Sequence, residues 1–465
     1  MNGYLIAFFI IFIYLVIAIF LASRYKEPMG KLNLSFFGPL LMWRTTRGIK
    51  LIEKLARLKR FWKAYANVSI VLLFFVMFSM LFFLFVAAYS ATTIEIDPMP
   101  IENVLVLPGI NPIIPLWYGL FALIIAVVIH EFAHGIQARV ADLKIKSLGV
   151  VFFVIPMGAF VEPDEDELRN TKKLKRDRVF AAGPATNIFF GLICVMIFSW
   201  GFMGSLEPVE DGVIIISVTE DYPADNAGLK PGMVIIYVEG NTTTGITLPG
   251  INITTKQEFS DFMELTHVND TINLTVYWDE REMVFDNITL ADRGEYYKDF
   301  SDLREEFAGQ GFLGIESRGA DEFMESLSHP VRSAEGDRNL ARMNLFYLGL
   351  RLPLDTSIMP FHDPLTDMYE VEGPLAGMPE GMFWGLANMF YYLFWLNILV
   401  GIFNALPAVP LDGGYPYRDA WDSLLKRVFK NKDKKTREGM VGRITIYTAL
   451  LILFLLLWTL FIPYL

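Results

Sequence analysis

Six apolar stretches, at approximately 4–22, 68–90, 113–138, 179–204, 382–406 and 444–463, each reach the ~20 residues that an α-helix needs to cross a bilayer. Lipid offers backbone N–H and C=O groups no partner, so each stretch must satisfy its own backbone as a helix. These runs lift the hydrophobic content to 53%, above the ~45–50% of soluble domains. The first stretch lacks a basic leader, and Ser23-Arg24-Tyr25 is a poor cleavage site, so it reads as a span rather than a signal peptide. The expectation is an α-helical polytopic membrane protein with six transmembrane helices.

The loops orient these spans. Residues 23–66 carry many cations, among them Arg24, Lys31, Arg44, Arg47, Lys50, Arg57, Lys59 and Lys63, and few acids. Residues 139–178 and 416–443 are also rich in Lys and Arg, whereas 91–112 holds Glu95, Asp97 and Glu102 and no cation. Basic loops stay cytoplasmic, and with six alternating spans all three fall on one side. Both termini and residues 205–381 then lie outside the cytoplasm. Sequons beginning at Asn241, Asn252, Asn269, Asn273 and Asn287 suit that side, although Asn33 and Asn67 begin sequons on the other. The single cysteine, Cys194, sits in an apolar run and reads as a small hydrophobe; it excludes any disulfide within the chain. A net charge of −11 gives no support for nucleic-acid binding.

Residues 208–318 read as a soluble domain of mixed strands and helices. Val213–Val218 and 233–238 are strand-like, and between them Ala224-Asp-Asn-Ala-Gly-Leu-Lys-Pro-Gly232 reads as a helical turn followed by a Pro-Gly turn. The pattern resembles an α+β PDZ domain, which captures peptides by strand addition. Residues 319–381 show no core pattern and form an extracytoplasmic or membrane-surface linker.

The third stretch ends in His130-Glu131-Phe132-Ala133-His134. Residues i and i+4 share a helix face, so both imidazoles can bind one metal, and Glu131 beside them can take a proton from an attacking water. Two histidines and a glutamate inside a span point to function rather than packing. A catalytic zinc usually has three protein ligands. The fifth stretch ends in Asn404-Ala-Leu-Pro-Ala-Val-Pro-Leu-Asp412-Gly413-Gly414, whose prolines stop the helix and whose glycines permit a return of Asp412. A solvated Asp at a membrane exit is the bland alternative. Depth favours the ligand: spans three and five run the same way, and span four, running back, begins with Gly183-Pro-Ala-Thr-Asn187, so Asn187 and Asn404 fall in the same layer.

An HExxH helix within a span, a later Asn-x-x-Pro-x-x-Pro-Leu-Asp-Gly and an intervening PDZ-like domain together resemble the site-2 protease family of intramembrane metalloproteases. With one cysteine the chain is similar to the prokaryotic type. The resemblance implies zinc held by His130, His134 and Asp412, Glu131 as catalytic base, and Asn404 near substrate. It implies a transmembrane protein substrate, cut first by another protease, and says nothing of the two N-terminal spans. It divides the chain into 1–112 (two N-terminal helices), 113–206 (first part of the catalytic core), 208–318 (PDZ-like), 319–381 (linker) and 382–465 (second part of the core).

A substrate helix must unwind to be cut, and its freed backbone needs new partners. Residues 148–161 are apolar but too short to span, which favours a re-entrant hairpin turning at Pro156-Met157-Gly158. Its edge can hold the substrate as an added strand, with Gly149 and Phe153 as expected contacts beside Asn187 and Asn404. Small residues at Gly183, Ala185 and Gly191 would let span four pack closely. A membrane zinc transporter and a non-catalytic PDZ receptor are the alternatives. The absence of a second HExxH counts against the transporter, and the intact Glu131 counts against the receptor.

Overall fold

The computed structural model describes residues 3–25, 30, 32–93, 107–153, 155–298, 301–334, 337–356, 358–363, 365–430 and 432–464. The acids Glu95, Asp97 and Glu102 lie outside them. The chain forms two compact units, one of residues 1–193 and 392–465, the other of residues 194–391.

Five helices are long and apolar enough to cross a membrane, so the protein is a polytopic integral membrane protein. They are α2 (Lys59–Thr93), α3 (Leu116–Val140), α4 (Lys173–Met196, continued by a π-helical turn and a 3-10 turn to Ser205), α5 (Glu380–Asn404) and α7 (Lys434–Phe461). The first expected span forms helix α1 (Gly3–Arg24), of which Phe12–Leu21 counts only as a shorter apolar helix among the described residues. Phe75 and Phe82 on α2 and Trp117 on α3 are exposed, as lipid-facing side chains must be and as a water-soluble surface rarely permits. Between α5 and α7, α6 (Gly414–Val428) is amphipathic and carries Lys426 and Arg427 in its last turn, where cations suit the helix dipole.

Close helix packing follows the small residues. A methyl added at Gly191 would lie 3.1 Å from the Phe394 carbonyl on α5. One added at Gly401 would lie 2.9 Å from the Pro184 carbonyl on α4. Glycine at these points lets two backbones approach in a setting where van der Waals contact, not the hydrophobic effect, drives association.

The expected hairpin is present and larger than expected. Strands β1 (Leu34–Phe37), β2 (Leu40–Thr45), β3 (Ile145–Phe153) and β4 (Ile155–Pro163) form an antiparallel sheet in that order. The register pairs Leu41 with Phe152, Arg44 with Gly149, and Leu148 with Val161. Two corrections follow. The turn is not at Pro156-Met157-Gly158: those residues are in β4, Phe153 pairs with Ile155, and the turn residue 154 lies outside the described residues. Gly158 instead faces Val151 beside a register shift, the irregularity that a glycine inside a strand often marks. The outer edge of β3 is not free either, because β2 occupies it. Leu148 and Val161 anchor the sheet on Ile52, Ala56, Ile136 and Val140, the first two from helix Ile49–Ala56 and the others from α3.

In the other unit, β5 (Val213–Val218), β6 (Val234–Asn241), β7 (Thr247–Asn252), β8 (Thr271–Trp278), β9 (Arg281–Thr289) and β10 (Ile315–Gly319) form a six-stranded sheet of order β9-β8-β6-β5-β10, with β7 also on β6. Alternation in β8 buries Ile272, Leu274 and Val276 against Val213, Ile215 and Ile235. Helix Lys256–Glu264 closes this core with Phe259 and Phe262, its start fixed by a Thr255–Glu258 capping box. The expected helical turn is Pro223–Ala227, ended by Gly228 in the left-handed conformation. Within the same unit, Asn388 of α5 holds the loop peptide of Phe361, accepting from its N–H at 2.8 Å and donating to its carbonyl at 2.9 Å. Cys194 is buried, as a small hydrophobe would be.

Candidate metal centre

The i, i+4 spacing on α3 sets the His130 and His134 rings 4.7 Å apart, centroid to centroid. Both Nε2 atoms face one oxygen of Asp412: Oδ2 lies 2.9 Å from His130 and 3.2 Å from His134. One ligand atom from each of the three residues lies within 4.8 Å of the other two. These three side chains, 282 positions apart at the extremes, therefore meet at a single point.

Asp412 reaches that point because α5 stops and doubles back. The Gly413 N–H donates to the Asn404 carbonyl at 2.8 Å, and a methyl at Gly413 would fall 2.1 Å from the Ala405 carbonyl oxygen. No side chain fits this turn. The helix after it, α6, is tied to α4. Arg176 donates to both carboxylate oxygens of Asp419, at 2.9 and 2.6 Å, a geometry that fixes direction as well as distance. Lys173 and Arg437 both hold Asp422. Burial pushes the Asp422 carboxyl up, but these two cations outweigh it and hold it below the ordinary carboxylate value. Phe180 of α4 stacks on Tyr415 of α6 at 4.0 Å.

Helix α4 also orients His134. The Nδ1 of His134 lies 2.7 Å from the Val179 carbonyl, and a carbonyl only accepts, so Nδ1 carries a proton and, in the neutral ring, Nε2 the lone pair. The neutral ring sets that lone pair 3.2 Å from a carboxylate oxygen, a separation that a shared metal ion can bridge. Ligand atoms ~2.0–2.1 Å from a tetrahedral zinc stand about 3.3 Å apart, close to the separations seen here. Gly183 makes the remaining room: a methyl there would lie 2.5 Å from His134 Nε2 and 2.7 Å from His130 Nε2. Two imidazoles and one carboxylate are the three-ligand donor set that suits a catalytic zinc.

Glu131 points to the sheet. Its Oε2 accepts from the N–H of Val161 on β4 at 2.9 Å. Sequence reasoning did not find this contact, nor the Val179 carbonyl, because backbone groups carry no residue signature. It also missed β1 and β2. Short apolar runs on either side of Gly38-Pro39 were the available signal.

The other expected contacts fare unequally. Asn404 donates to the Val400 carbonyl in its own helix and braces the Asp412 turn through its backbone. Asn187 is wholly buried, and neither amide atom has a partner among the described residues. Gly149 is an interior sheet residue between Arg44 and Phe160. Phe153 packs edge-on against Tyr14 of α1 at 5.2 Å.

An HExxH helix and a convergent third ligand, in a polytopic membrane protein, define a membrane metalloprotease. The family model for peptidase family M50 matches residues 118–452, and the chain belongs to that family, the site-2 proteases. An uncharacterized protein of Methanocaldococcus jannaschii is 24% identical over 417 residues, covering 89% of this chain and 86% of its own. A Synechocystis protein named "Putative zinc metalloprotease" is 24% identical over 336 residues, 64% of this chain and 81% of its own.

Proposed function

We propose that the chain is a zinc endopeptidase that cuts transmembrane segments of other membrane proteins. The observation that carries this reading is the meeting of His130, His134 and Asp412 beside a glutamate that already touches a strand edge. His130, His134 and Asp412 hold the zinc, which when bound supplies Lewis acidity toward the scissile carbonyl and acidifies water. Glu131 takes the proton from the attacking water and passes it to the departing amine, a role that needs its carboxylate within hydrogen-bond reach of both.

The sheet supplies what an unwound substrate lacks. Since β2 fills the edge of β3, the substrate strand adds to β4. In an antiparallel strand the N–H and C=O of one residue point to the same side. The N–H of Val161 points to Glu131, so the outward groups of Val161 and Ala159 form the docking edge next to the base. Gly149 and Phe153 then support the sheet rather than touch substrate.

The basic loops set the remaining geometry. We place the metal layer near the cytoplasmic face and residues 205–381 outside, with 208–318 as a PDZ-like filter for substrates already trimmed by another protease. Cysteines introduced into that region, in a Cys194→Ser background, should react with an impermeant thiol reagent in whole cells; reaction only after lysis would reverse the topology.

The deciding experiment is cleavage of a transmembrane reporter peptide by purified protein in detergent. Wild type should cut it, Glu131→Gln should not, and both should bind zinc. Zinc flux without cleavage in reconstituted vesicles would replace this reading with transport.

A further inference from the structure

We infer that Asn187 is a clamp for the substrate backbone, its amide holding the N–H and C=O of one residue close to the bond that is cut. The inference rests on the endopeptidase reading and deepens it.

The face of α4 that carries Asn187 is the metal face. A methyl at Gly183 would touch Nε2 of both histidines, and Asn187 lies one turn further along the same side of the helix. It is 0% exposed, and both Nδ2 and Oδ1 are without a partner among the described residues. A buried amide with neither end satisfied is strongly disfavoured, and such groups mark unfilled roles.

The asparagines of α5 provide the contrast. Asn397 and Asn404 each donate to the carbonyl one turn before them, so their amide donors are used. Asn388 shows what an asparagine in a span can do for a non-helical segment, because one amide satisfies both the N–H and the C=O of Phe361. Asn187 has the same donor and acceptor and no peptide to hold.

An unwound substrate presents such a peptide. A strand added to β4 uses that edge for alternate residues only; the polar groups of the residues between them face away from β4. In a bilayer, away from water, those groups need a partner from the enzyme. A primary amide can serve both groups of one extended residue at once, one donor to its carbonyl and one acceptor for its N–H.

The test is an ester scan. A transmembrane peptide is made with single backbone esters at successive positions around the scissile bond; each ester removes one N–H and weakens one carbonyl. Binding to zinc-loaded Glu131→Gln is compared with binding to Glu131→Gln/Asn187→Leu. Two successive ester positions, the one that removes the held N–H and the next, which weakens the held carbonyl, should weaken binding with Asn187 present, the first about tenfold, and have no effect with leucine in its place. Asn187→Ser serves as the second background if the leucine variant loses zinc. Identical ester profiles in the two backgrounds would overturn the clamp and leave Asn187 as a group solvated by internal water. Cleavage of the all-amide peptide by wild type is measured in parallel. If it fails while the position-specific ester effect remains, the endopeptidase reading falls and the clamp stands; the reverse result leaves the enzyme and removes the clamp.

Discussion

The two main sheets of this molecule are stabilised in different ways. The six-stranded sheet of residues 213–319 makes a core of its own, from Val213, Ile215, Ile235, Leu274, Val276 and the phenylalanines of helix Lys256–Glu264. The four-stranded sheet does not. Among the described residues, Leu148 and Val161 of this sheet join a buried cluster, with Ile145 packed against it, and that cluster is completed by the flanking helices. The first sheet is a self-contained fold, stable for the usual reason that an alternating strand buries one face. The second is a ledge held by helix Ile49–Ala56 and α3, and β4, on which no further described strand pairs, is the strand that reaches Glu131. His130, Glu131, His134 and Asp412 all lie in the unit that holds the ledge, residues 1–193 and 392–465.

The strongest way to break this comparison is to break the ligand set. Asp412→Ala should lose most of its zinc and nearly all cleavage, and chelation of wild type should match it, with recovery on adding zinc. Glu131→Gln should keep the metal and still lose about 10²–10⁴ in rate. Metal analysis and a cleavage assay on the same preparations decide it. An Asp412→Ala protein with a full complement of zinc would remove that residue from the site.

The next effect tests how the ledge unit holds its ligands in register. Arg176 and Asp419 join α4, which orients His134 through Val179, to α6, which follows Asp412 directly. Arg176→Met should weaken zinc binding about 10–100-fold, as loss of a group that orients ligands typically does. The sheet core of residues 213–319 should melt as before. Unchanged zinc affinity would show that the Gly413 turn alone sets Asp412.

A smaller effect separates the two edges of the ledge. The outward N–H of Ala159 takes no part in pairing with β3, so Ala159→Pro should leave the fold and the zinc intact and raise KM several-fold to about tenfold, the value of one hydrogen bond. Gly149→Ala, by contrast, would put a methyl 2.2 Å from the Trp43 carbonyl oxygen and should destabilise the sheet itself. Equal effects of the two on thermal stability would mean that β4 is not a free edge.

These contrasts follow what was legible in the sequence. His130, Glu131 and His134 could be read because helical spacing alone places them, and Asp412 because two prolines and two glycines leave few other paths for the chain. The spans were legible because hydrocarbon thickness sets a minimum length. The long-range pairing was not: β2 meets β3 across more than 100 residues, and nothing in Leu40–Thr45 specifies which edge it will fill. The cations around it read as a cytoplasmic loop and hid the hairpin. Pro156-Met157-Gly158 misled because proline and glycine favour turns, while here register pairs Phe153 with Ile155 and keeps all three in a strand. Hydrogen bonds from Val161 and Val179 were invisible for the simplest reason, that any residue could supply a backbone N–H or carbonyl at those positions.

The smallest effect expected is the one that most sharpens the contrast between the sheets. His130, Glu131, His134, Asp412 and β4 all lie outside residues 208–318, and among the described residues the strands of that segment pair with one another or with neighbours in their own unit. Replacing them by a short linker should therefore leave zinc content unchanged and cleavage of a short, already trimmed transmembrane peptide within about threefold of wild type, a change in barrier of less than ~1 kcal/mol. A substrate with a bulky folded ectodomain is the sensitive partner in the comparison. If the domain excludes such substrates, the deleted form should cut the long substrate faster than wild type does, while the short one is unaffected. If the domain instead tethers substrates by strand addition, both should be cut more slowly at low concentration and equally well at saturation. Assaying the two substrates at concentrations below and above KM separates these roles. Loss of zinc from the deleted form would show that the two units are not independent and that the ledge depends on the self-contained sheet after all.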